Sequence, residues 1–201
     1  MTLRDKIIRE SMKLFSLKGF ISASINDILE AAGTSKGGFY NHFSSKEDLF
    51  LAVLTDAQGI WREKVLYGIN EADSPMEKVK IILRNYKDRY LKDSETFPGG
   101  CIFITFSVEL DDQIPHLAAE VNKGFVGFKF LLKRVLDQSQ ELGELSPAVN
   151  TETMSEMLFS GMVGSSVLYG VGKSAVQLDK SINSLIEYLE LNRNTQSVGA
   201  S

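Results

Sequence analysis

The 201-residue sequence contains very little cysteine, histidine and proline. One cysteine excludes a disulfide within the chain, and with two histidines it leaves few ligands for zinc, so we expect no metal and no cofactor. All four prolines lie at or after residue 75, and long stretches without proline favour helices. With 43% hydrophobic and 24% charged residues, the composition is that of a folded globular chain rather than a disordered one.

A long apolar run is also missing. The longest stretch without charge, residues 157–172, is diluted by glycine and serine, and it falls short of the roughly 20 apolar residues that a membrane-spanning helix needs. The first fifteen residues carry scattered charges instead of the apolar centre of a signal peptide. We therefore expect a soluble, cytoplasmic protein with no membrane partner.

The spacing of the apolar residues predicts an all-α fold of about nine helices. Residues 101–108 could instead form a buried β-strand, because they are rich in β-branched and aromatic side chains. A single strand among helices would have no pairing partner, so we predict a helix at 101–110. Among the other predicted helices are 36–43, 46–69, 75–93, 115–142, 150–171 and 174–192.

The first 46 residues have the pattern of a compact three-helix unit. Ser24 can cap a short second helix that ends at Gly33, and Ser35 can cap a third helix over 36–43. Gly33 permits the positive φ that a tight turn needs. Two short helices around Ala-Gly-Thr-Ser fit a helix-turn-helix, whose second helix enters the major groove of DNA. An ordinary helical hairpin in a core is the alternative.

The segment SINDILEAAGTSKGGFYNHFSSKEDLF resembles the N-terminal DNA-binding domain of TetR-type transcriptional regulators. The preceding LFSLKGF is similar to the family's Leu-Phe-x-x-x-Gly-Phe/Tyr. Thr34 and Leu29 replace the family's usual Val and Ala, and these departures concern packing more than DNA docking. The resemblance rests on about a quarter of the chain. The matching positions are Gly33, Ser35, Gly37, Tyr40, Phe43, Lys46, Glu47 and Leu49.

The resemblance implies a helix-turn-helix DNA-binding domain at 1–46, a helical effector-binding and dimerisation domain at 47–193, and a polar tail at 194–201. It also implies a ligand-responsive transcriptional regulator and no enzyme activity. The simplest form is a repressor that binds a pseudo-palindromic operator in double-stranded DNA as a homodimer. A small, mainly apolar effector would release it.

The predicted DNA contacts come from the second and third helices and the residues that follow them. Lys36 can contact a guanine or a phosphate, and Asn41 can contact an adenine or only solvent. The resemblance implies that Tyr40 and His42 face the DNA backbone, and that Lys46 corresponds to a phosphate-contacting lysine. The full predicted set is Ser24, Ser35, Lys36, Gly37, Tyr40, Asn41, His42 and Lys46.

The distribution of charge agrees with this assignment, although the net charge is −4. Residues 1–46 carry seven Lys and Arg against four Asp and Glu, which gives +3, and the rest of the chain carries fifteen against twenty-two, which gives −7. Arg4 could contact the minor groove or a phosphate, with plain solvation as the alternative. Phe39 and Phe43, four residues apart, are predicted to be core.

Two patterns near the C-terminus suit a dimer interface. Small residues form one helix face, and an apolar stripe runs along the next helix. Two such helices from each of two subunits would form a four-helix interface, whereas the alternative is an internal helix pair. The predicted interface residues are Gly161, Gly164, Ser165 and Leu168 on the first helix and Leu178, Ile182, Leu185 and Leu189 on the second.

Aromatic residues are frequent over residues 86–128. Most of them must be core, but a helical bundle can also enclose an apolar ligand cavity. We predict an apolar effector that makes one or two polar contacts. The predicted effector-contacting residues are Trp61, Tyr86, Cys101, Thr105, His116, Phe125 and Phe128.

Cys101 supports an alternative form of regulation. It follows two glycines at a predicted helix N-terminus, where the pKa of a thiol falls and its reactivity rises. Switching by a redox or electrophile reaction at Cys101 is therefore the alternative, and simple burial of a small residue is favoured over it. More remote alternatives are an enzyme that pairs Cys101 with His116 and a helical adaptor that has lost DNA binding.

Overall fold

The computed structural model describes residues 1–194, which form nine α-helices and no β-strand. The predicted all-α fold is therefore confirmed, including a helix instead of a strand at 101–110, whereas all of the predicted tail except Asn194 lies outside the described residues. The helices are α1 (Leu3–Lys18), α2 (Ile25–Ala32), α3 (Lys36–Tyr40), α4 (Lys46–Val65), α5 (Pro75–Asn85), α6 (Ile102–Leu110), α7 (Pro115–Glu141), α8 (Thr151–Gly172) and α9 (Ala175–Leu191), with a 3₁₀ turn at Ile69–Glu71 and a π-helical turn at Tyr86–Leu91.

Three helices end earlier than their apolar spacing predicts. α3 ends at Tyr40 instead of residue 43, and α4 ends at Val65 instead of residue 69. Beyond α4, Gly68 adopts a left-handed conformation with φ +73°, which ends regular helix before the 3₁₀ turn. α5 ends at Asn85, and the chain continues as the π-helical turn where an uninterrupted helix was expected.

Polar side chains start several helices. Thr2 and Asp5 form a capping box at α1, in which each side chain binds the other residue's backbone N–H. Ser74 caps α5 immediately before Pro75, the residue type that suits a first helical position. Ser174 accepts from the backbone N–H of Gln177 at the start of α9. These local contacts explain why the helix starts were predictable.

The described chain packs as two compact units. The first contains residues 1–62 and 91–122, and the second contains residues 63–90 and the chain from Lys123 onward. This division follows packing, whereas the predicted boundary after residue 46 divides the chain by function and stays a prediction.

Four buried phenylalanines hold the first unit together. The ring of Phe106 on α6 lies 4.7 Å from that of Phe50 on α4 and 6.2 Å from that of Phe15 on α1, between centroids. Phe20, in the loop after α1, lies 5.0 Å from Phe50 and 5.6 Å from Phe15. The edge-on and tilted geometries are those that aromatic rings prefer, so this cluster fixes α1, α4 and α6 against one another.

In the second unit, ion pairs join α5 and its π-helical turn to α9. Lys80, whose side chain is 11% exposed, lies 2.7 Å from the Glu190 carboxylate and 2.6 Å from that of Glu77. Burial alone would lower the pKa of Lys80, but hydrogen bonds to Glu190 and Glu77 outweigh it and raise the pKa. Lys87 lies 2.9 Å from Asp179 in α9. α9 is thus held by charge as well as by its apolar face.

Candidate nucleic-acid interface

Helices α2 and α3 are joined by a tight, well-capped turn. Ser24 and Asp27 form a capping box at the start of α2, as their spacing predicts. Gly33 ends α2 in the left-handed conformation, with φ 59° and ψ 47°, and its N–H donates to the carbonyls of Glu30 and Leu29. The Ser35 hydroxyl then accepts from the N–H of Gly38. Local hydrogen bonds therefore set the angle between the two helices.

One face of α3 is buried and the other is exposed. Phe39 and Phe43 lie in the core with ring centroids 5.7 Å apart, as predicted. The opposite face is polar and accessible, with Tyr40 52% exposed and its ring packed edge-on against Phe39. The exposed residues of this face and of the turn after it are Lys36, Gly37, Tyr40, Asn41 and His42. This surface is what a helix needs in order to contact a DNA groove.

The two predicted serines are exposed, but both already serve as helix caps. Ser24 Oγ accepts from the Asp27 N–H at 3.1 Å and donates to the Asp27 carboxylate at 2.8 Å. Ser35 Oγ accepts from Gly38 at 3.2 Å, which leaves its hydroxyl proton available to an acceptor outside the chain. Contacts of either serine with phosphate stay a prediction.

Lys46 makes contacts within the chain, and its contact with phosphate stays a prediction. Its amine donates to the carbonyls of Ile21 at 3.2 Å and Ala23 at 2.8 Å, and it lies 4.5 Å from the centroid of the Phe20 ring. Burial lowers the pKa of this amine, and the charges of Glu109 and Asp27 oppose that shift. Lys46 therefore holds the loop between α1 and α2 in this structure.

Arg4 lies over the ring of Phe43, with its guanidinium carbon 5.4 Å from the ring centroid. This cation–π contact keeps the positive charge of Arg4 beside the end of α3. Lys18, at the end of α1, forms an ion pair of 3.5 Å with Asp27. The charge of Arg4 thus lies beside the residues that follow α3, and the charge of Lys18 is partly neutralised by Asp27.

Glu109 is a residue that the sequence analysis missed. Its carboxylate accepts from the backbone N–H of Phe20 at 2.5 Å and of Ile21 at 2.8 Å, in the same loop that Lys46 holds. The sequence gives one indication of its importance, since Glu109 is the only charged residue within 101–110. A lone carboxylate in an apolar helix must find a partner, but its spacing along the chain does not show which one.

The predicted effector-contacting residues belong to both units. Trp61, Cys101, Thr105 and His116 lie in the first unit, and Tyr86, Phe125 and Phe128 lie in the second. Within the second unit, Tyr86 stacks on Tyr90 with centroids 5.7 Å apart, and Phe125 and Phe128 both contact the ring of Phe159. These aromatic residues pack against other rings, and effector contact by any of the seven stays a prediction.

The predicted polar contacts of the first unit are partly engaged elsewhere. His116 is exposed, and its Nε2 lies 2.9 Å from a carboxylate oxygen of Glu47. The Thr105 hydroxyl lies 3.5 Å from the carbonyl oxygen of Cys101. Cys101 is the half-buried N-cap residue of α6, and its side chain makes no capping hydrogen bond.

Most of the predicted dimer stripe is buried inside the subunit. Leu178, Ile182 and Leu189 of α9 are at most 1% exposed. Gly161 of α8 faces Leu185, and a Cβ at that glycine would collide with the leucine side chain. The alternative of an internal helix pair therefore describes these positions and the buried Ser165. Leu168 and Gly164 lie on the exposed surface of α8, where a partner subunit can reach them.

Residues 1–194 contain neither a metal-binding cluster nor a membrane-spanning helix. No group of three or more His, Cys, Asp or Glu side chains in this range is placed to hold a metal ion. Over the same residues, no helix combines the length and the apolarity that a membrane span requires.

Comparison with known proteins places the chain among helix-turn-helix regulators. Residues 7–53 match the family model described as bacterial regulatory proteins, tetR family, and residues 75–185 match a tetracyclin repressor-like C-terminal domain. The HTH-type transcriptional regulator UidR of Escherichia coli K12 is 30% identical over 77% of this chain and 75% of its own length. The HTH-type transcriptional repressor DhaR of Mycobacterium sp. GP1 is 23% identical over 93% of this chain and 92% of its own length.

A solved structure extends the likeness to three dimensions. The crystal structure of a TetR transcriptional regulator from Chloroflexus aurantiacus superposes with a TM-score of 0.87 at 25% identity, and it covers 95% of this chain and 96% of that one. The structural likeness therefore extends beyond the helix-turn-helix to the rest of the chain, where the sequence pattern alone gave little indication of the family.

Proposed function

This chain belongs to the TetR family of bacterial transcriptional regulators, and from that premise we propose that it is a repressor released by a small effector. It binds a pseudo-palindromic operator in double-stranded DNA as a homodimer in the cytoplasm. The effector is mainly apolar. The printed name of DhaR, a transcriptional repressor, supports the choice of repressor over activator.

The observation that carries the proposal is the exposed polar face of α3 above its buried Phe39 and Phe43. Lys36 projects from the first position of this helix, and Tyr40 lies one turn further along. A helix that is held rigidly from behind, with polar side chains in front, can enter a major groove at little cost in conformational entropy. We propose further DNA contacts for Ser24, Ser35, Gly37, Asn41, His42 and Lys46.

The proposed dimer uses the exposed surfaces of α8 and α9. Their buried faces pack within the subunit, but large apolar side chains remain exposed on both helices. Large apolar side chains exposed on two neighbouring helices support a protein–protein interface. The exposed apolar residues are Val167, Leu168 and Val171 on α8 and Val176 and Leu191 on α9. A two-fold symmetric dimer suits an operator whose half-sites lie about one DNA turn apart.

We propose that each of the seven predicted residues contacts the effector. Tyr86 and Phe128 are buried aromatic residues of the second unit, and Thr105 is a half-buried hydroxyl of the first. Effector binding need change the DNA affinity only by a coupling energy of about 1–3 kcal/mol. Mass spectrometry of small molecules that co-purify with the full-length chain, followed by addition of each to the DNA complex, tests this part. Release by an apolar compound is expected, and release only by charged compounds would contradict it.

The position of Cys101 supports one alternative mode of release. The thiol stands at the N-terminus of α6, where the helix dipole stabilises a thiolate, and it is only half-buried. Under this alternative, the Cys101 thiolate adds to the carbon–carbon double bond of an electrophile such as N-ethylmaleimide. A C–S bond replaces the π bond, the adjacent carbon takes a proton from water, and the complex with DNA dissociates. Cys101→Ser should then bind DNA normally but resist release by N-ethylmaleimide. Equal release of both proteins would exclude the alternative.

Selection from a random library of duplex DNA tests the main proposal. The full-length chain should enrich a two-fold symmetric motif, and sedimentation should show two chains on each site. Enrichment of no motif, or binding of a single chain to an asymmetric site, would contradict the homodimeric repressor.

A further inference from the structure

We propose that Glu109 is a positioning residue for DNA binding, because together with Lys46 it clamps the loop that leads into the helix-turn-helix. We call this pair the loop clamp, and the loop it holds is residues 19–23. The inference rests on the proposed DNA binding, and it assigns a role to a residue of α6 that lies outside the helix-turn-helix.

The clamp holds the loop by both kinds of backbone group. The two carboxylate oxygens of Glu109 accept from two successive N–H groups, those of Phe20 and Ile21. The amine of Lys46 donates to the carbonyls of Ile21 and Ala23. A charged group strengthens each of these hydrogen bonds, and together the four bonds leave the loop little freedom.

Apolar packing places the clamp where it can act. Phe20 is buried in the aromatic cluster beside Phe106, which precedes Glu109 on α6 by about one turn. Gly19 turns the chain with φ +80°, and a Cβ there would collide with the Glu109 carboxylate. The residues of the loop and those of α6 therefore both favour the close approach of the two segments.

A second contact brings the segment before α6 to the end of α1. The N–H of Gly99 donates to the Ser16 hydroxyl at 3.2 Å, and a Cβ at Gly99 would overlap the Ser16 carbonyl. α6 is thus held to the last turn of α1 and to the loop that follows it. A rotation of α6 would change both contacts at once.

The loop sets the start of α2. Ala23 is buried, and the next residue, Ser24, is the N-cap of α2. Since the turn at Gly33 fixes α3 relative to α2, the position of the loop determines where the exposed face of α3 lies. The loop and Lys46 fall within the N-terminal family match, whereas Glu109 falls within the C-terminal one. Glu109 therefore connects the segment that matches the C-terminal family model directly to the segment that matches the N-terminal one.

Glu109→Gln tests the clamp with little change in shape. The amide oxygen can accept only one of the two N–H groups, and the –NH₂ group faces the other. Asp112→Asn is the matched control, because it removes the same charge from an exposed position three residues away. The probe is the duplex that the wild-type chain selects from a random library, and the readout is its dissociation constant by fluorescence anisotropy.

We expect Glu109→Gln to bind this duplex about tenfold more weakly than Asp112→Asn, which corresponds to about 1.4 kcal/mol. The slope of log affinity against log salt should not change, since Glu109 contacts no phosphate. Hydrogen exchange at the Phe20 and Ile21 amides should accelerate about tenfold, while the Phe15 amide in α1 stays protected and reports that the variant is folded.

Two results would overturn the proposal. One is an affinity of Glu109→Gln within about twofold of the control, the range expected of an ordinary surface substitution. The other is unchanged protection of the Phe20 and Ile21 amides. If the wild-type chain selects no duplex, the proposed DNA binding fails, but the exchange measurement still decides whether the clamp exists.

Lys46→Met tests the other half of the clamp. If Lys46 and Glu109 act on one loop, the double variant should lose less affinity than the sum of the two single losses. Additive losses would show that Lys46 acts separately from Glu109 and would overturn the paired clamp.

Discussion

The helix-turn-helix and the α8–α9 pair are stabilised by different kinds of contact. In α2 and α3, serine caps, Asp27 and a left-handed Gly33 set the geometry through contacts between residues only a few positions apart. In α8 and α9, buried leucine and isoleucine side chains meet across two long helices, and Gly161 makes room for Leu185. The first region keeps its polar face for a partner, whereas the second encloses its apolar stripe. Contacts between near neighbours in the chain are therefore enough to predict the exposed face of α3. They do not show which face of α8 or α9 would form a dimer interface.

The largest expected effect is a loss of folding stability when the buried apolar stripe of α9 is changed. Ile182 is fully buried in the subunit, so Ile182→Ala should lower the free energy of unfolding by about 2–5 kcal/mol through lost burial and a cavity. Urea denaturation followed by circular dichroism measures this, with the exposed neighbour Asn183→Ala as control. Unchanged stability together with dissociation of the dimer would show that the stripe belongs to the interface after all.

The exposed side of the same helices should behave in the opposite way. Leu168 is 57% exposed, so Leu168→Glu should raise the dissociation constant of the dimer by at least about tenfold while helicity is retained, because a charge would lie in an apolar interface. Analytical ultracentrifugation provides the measurement, and Gln138→Glu on an exposed position of α7 is the control. A variant that stays dimeric would place the interface elsewhere.

The polar face of α3 should affect DNA affinity and not folding. Lys36→Ala should weaken binding to the selected duplex by about tenfold, whether the lysine contacts a guanine or a phosphate. The two roles differ in their salt dependence, since loss of a phosphate contact lowers the slope of log affinity against log salt by about 0.9. Lys180→Ala, an equal charge change on α9, should leave affinity nearly unchanged. Equal losses in both variants would mean that only overall charge matters.

The smallest expected effect is the acid sensitivity of the α2 cap. Hydrogen bonds from the Ser24 backbone and hydroxyl hold the pKa of Asp27 below its ordinary value of 3.8. A lowered folded-state pKa stabilises the fold above that ordinary value, and the stabilisation is lost as the pH falls through the lowered pKa. Melting temperatures of wild type and Asp27→Asn should therefore differ at neutral pH and converge in acid. A difference that persists in acid would assign the effect to packing.

These contrasts also explain what could be predicted from the sequence. The capping box at Ser24, the turn at Gly33 and the buried pair Phe39 and Phe43 depend on neighbours in the chain, so residue type and spacing were sufficient. The burial of Ile182 depends on which helix covers it, and an apolar stripe looks the same whether it faces a sister helix or a second subunit.

Lys46 and Glu109 show the same limit for polar residues. Lys46 matched a family position and was predicted to contact phosphate, yet its amine binds backbone carbonyls that lie more than twenty residues away in the sequence. Glu109 binds a loop almost ninety positions away. Neither partnership leaves a periodic trace in the sequence, so only the folded chain reveals it.

We propose above all that the exposed face of α3 binds DNA. Its most direct test is the dissociation constant of the full-length wild-type chain for the selected duplex and for a scrambled duplex, between about 50 and 200 mM salt. We expect tighter binding to the selected duplex at every salt concentration, with log affinity falling linearly as log salt rises. Binding that is equal for the two duplexes, or absent across this range, would contradict it.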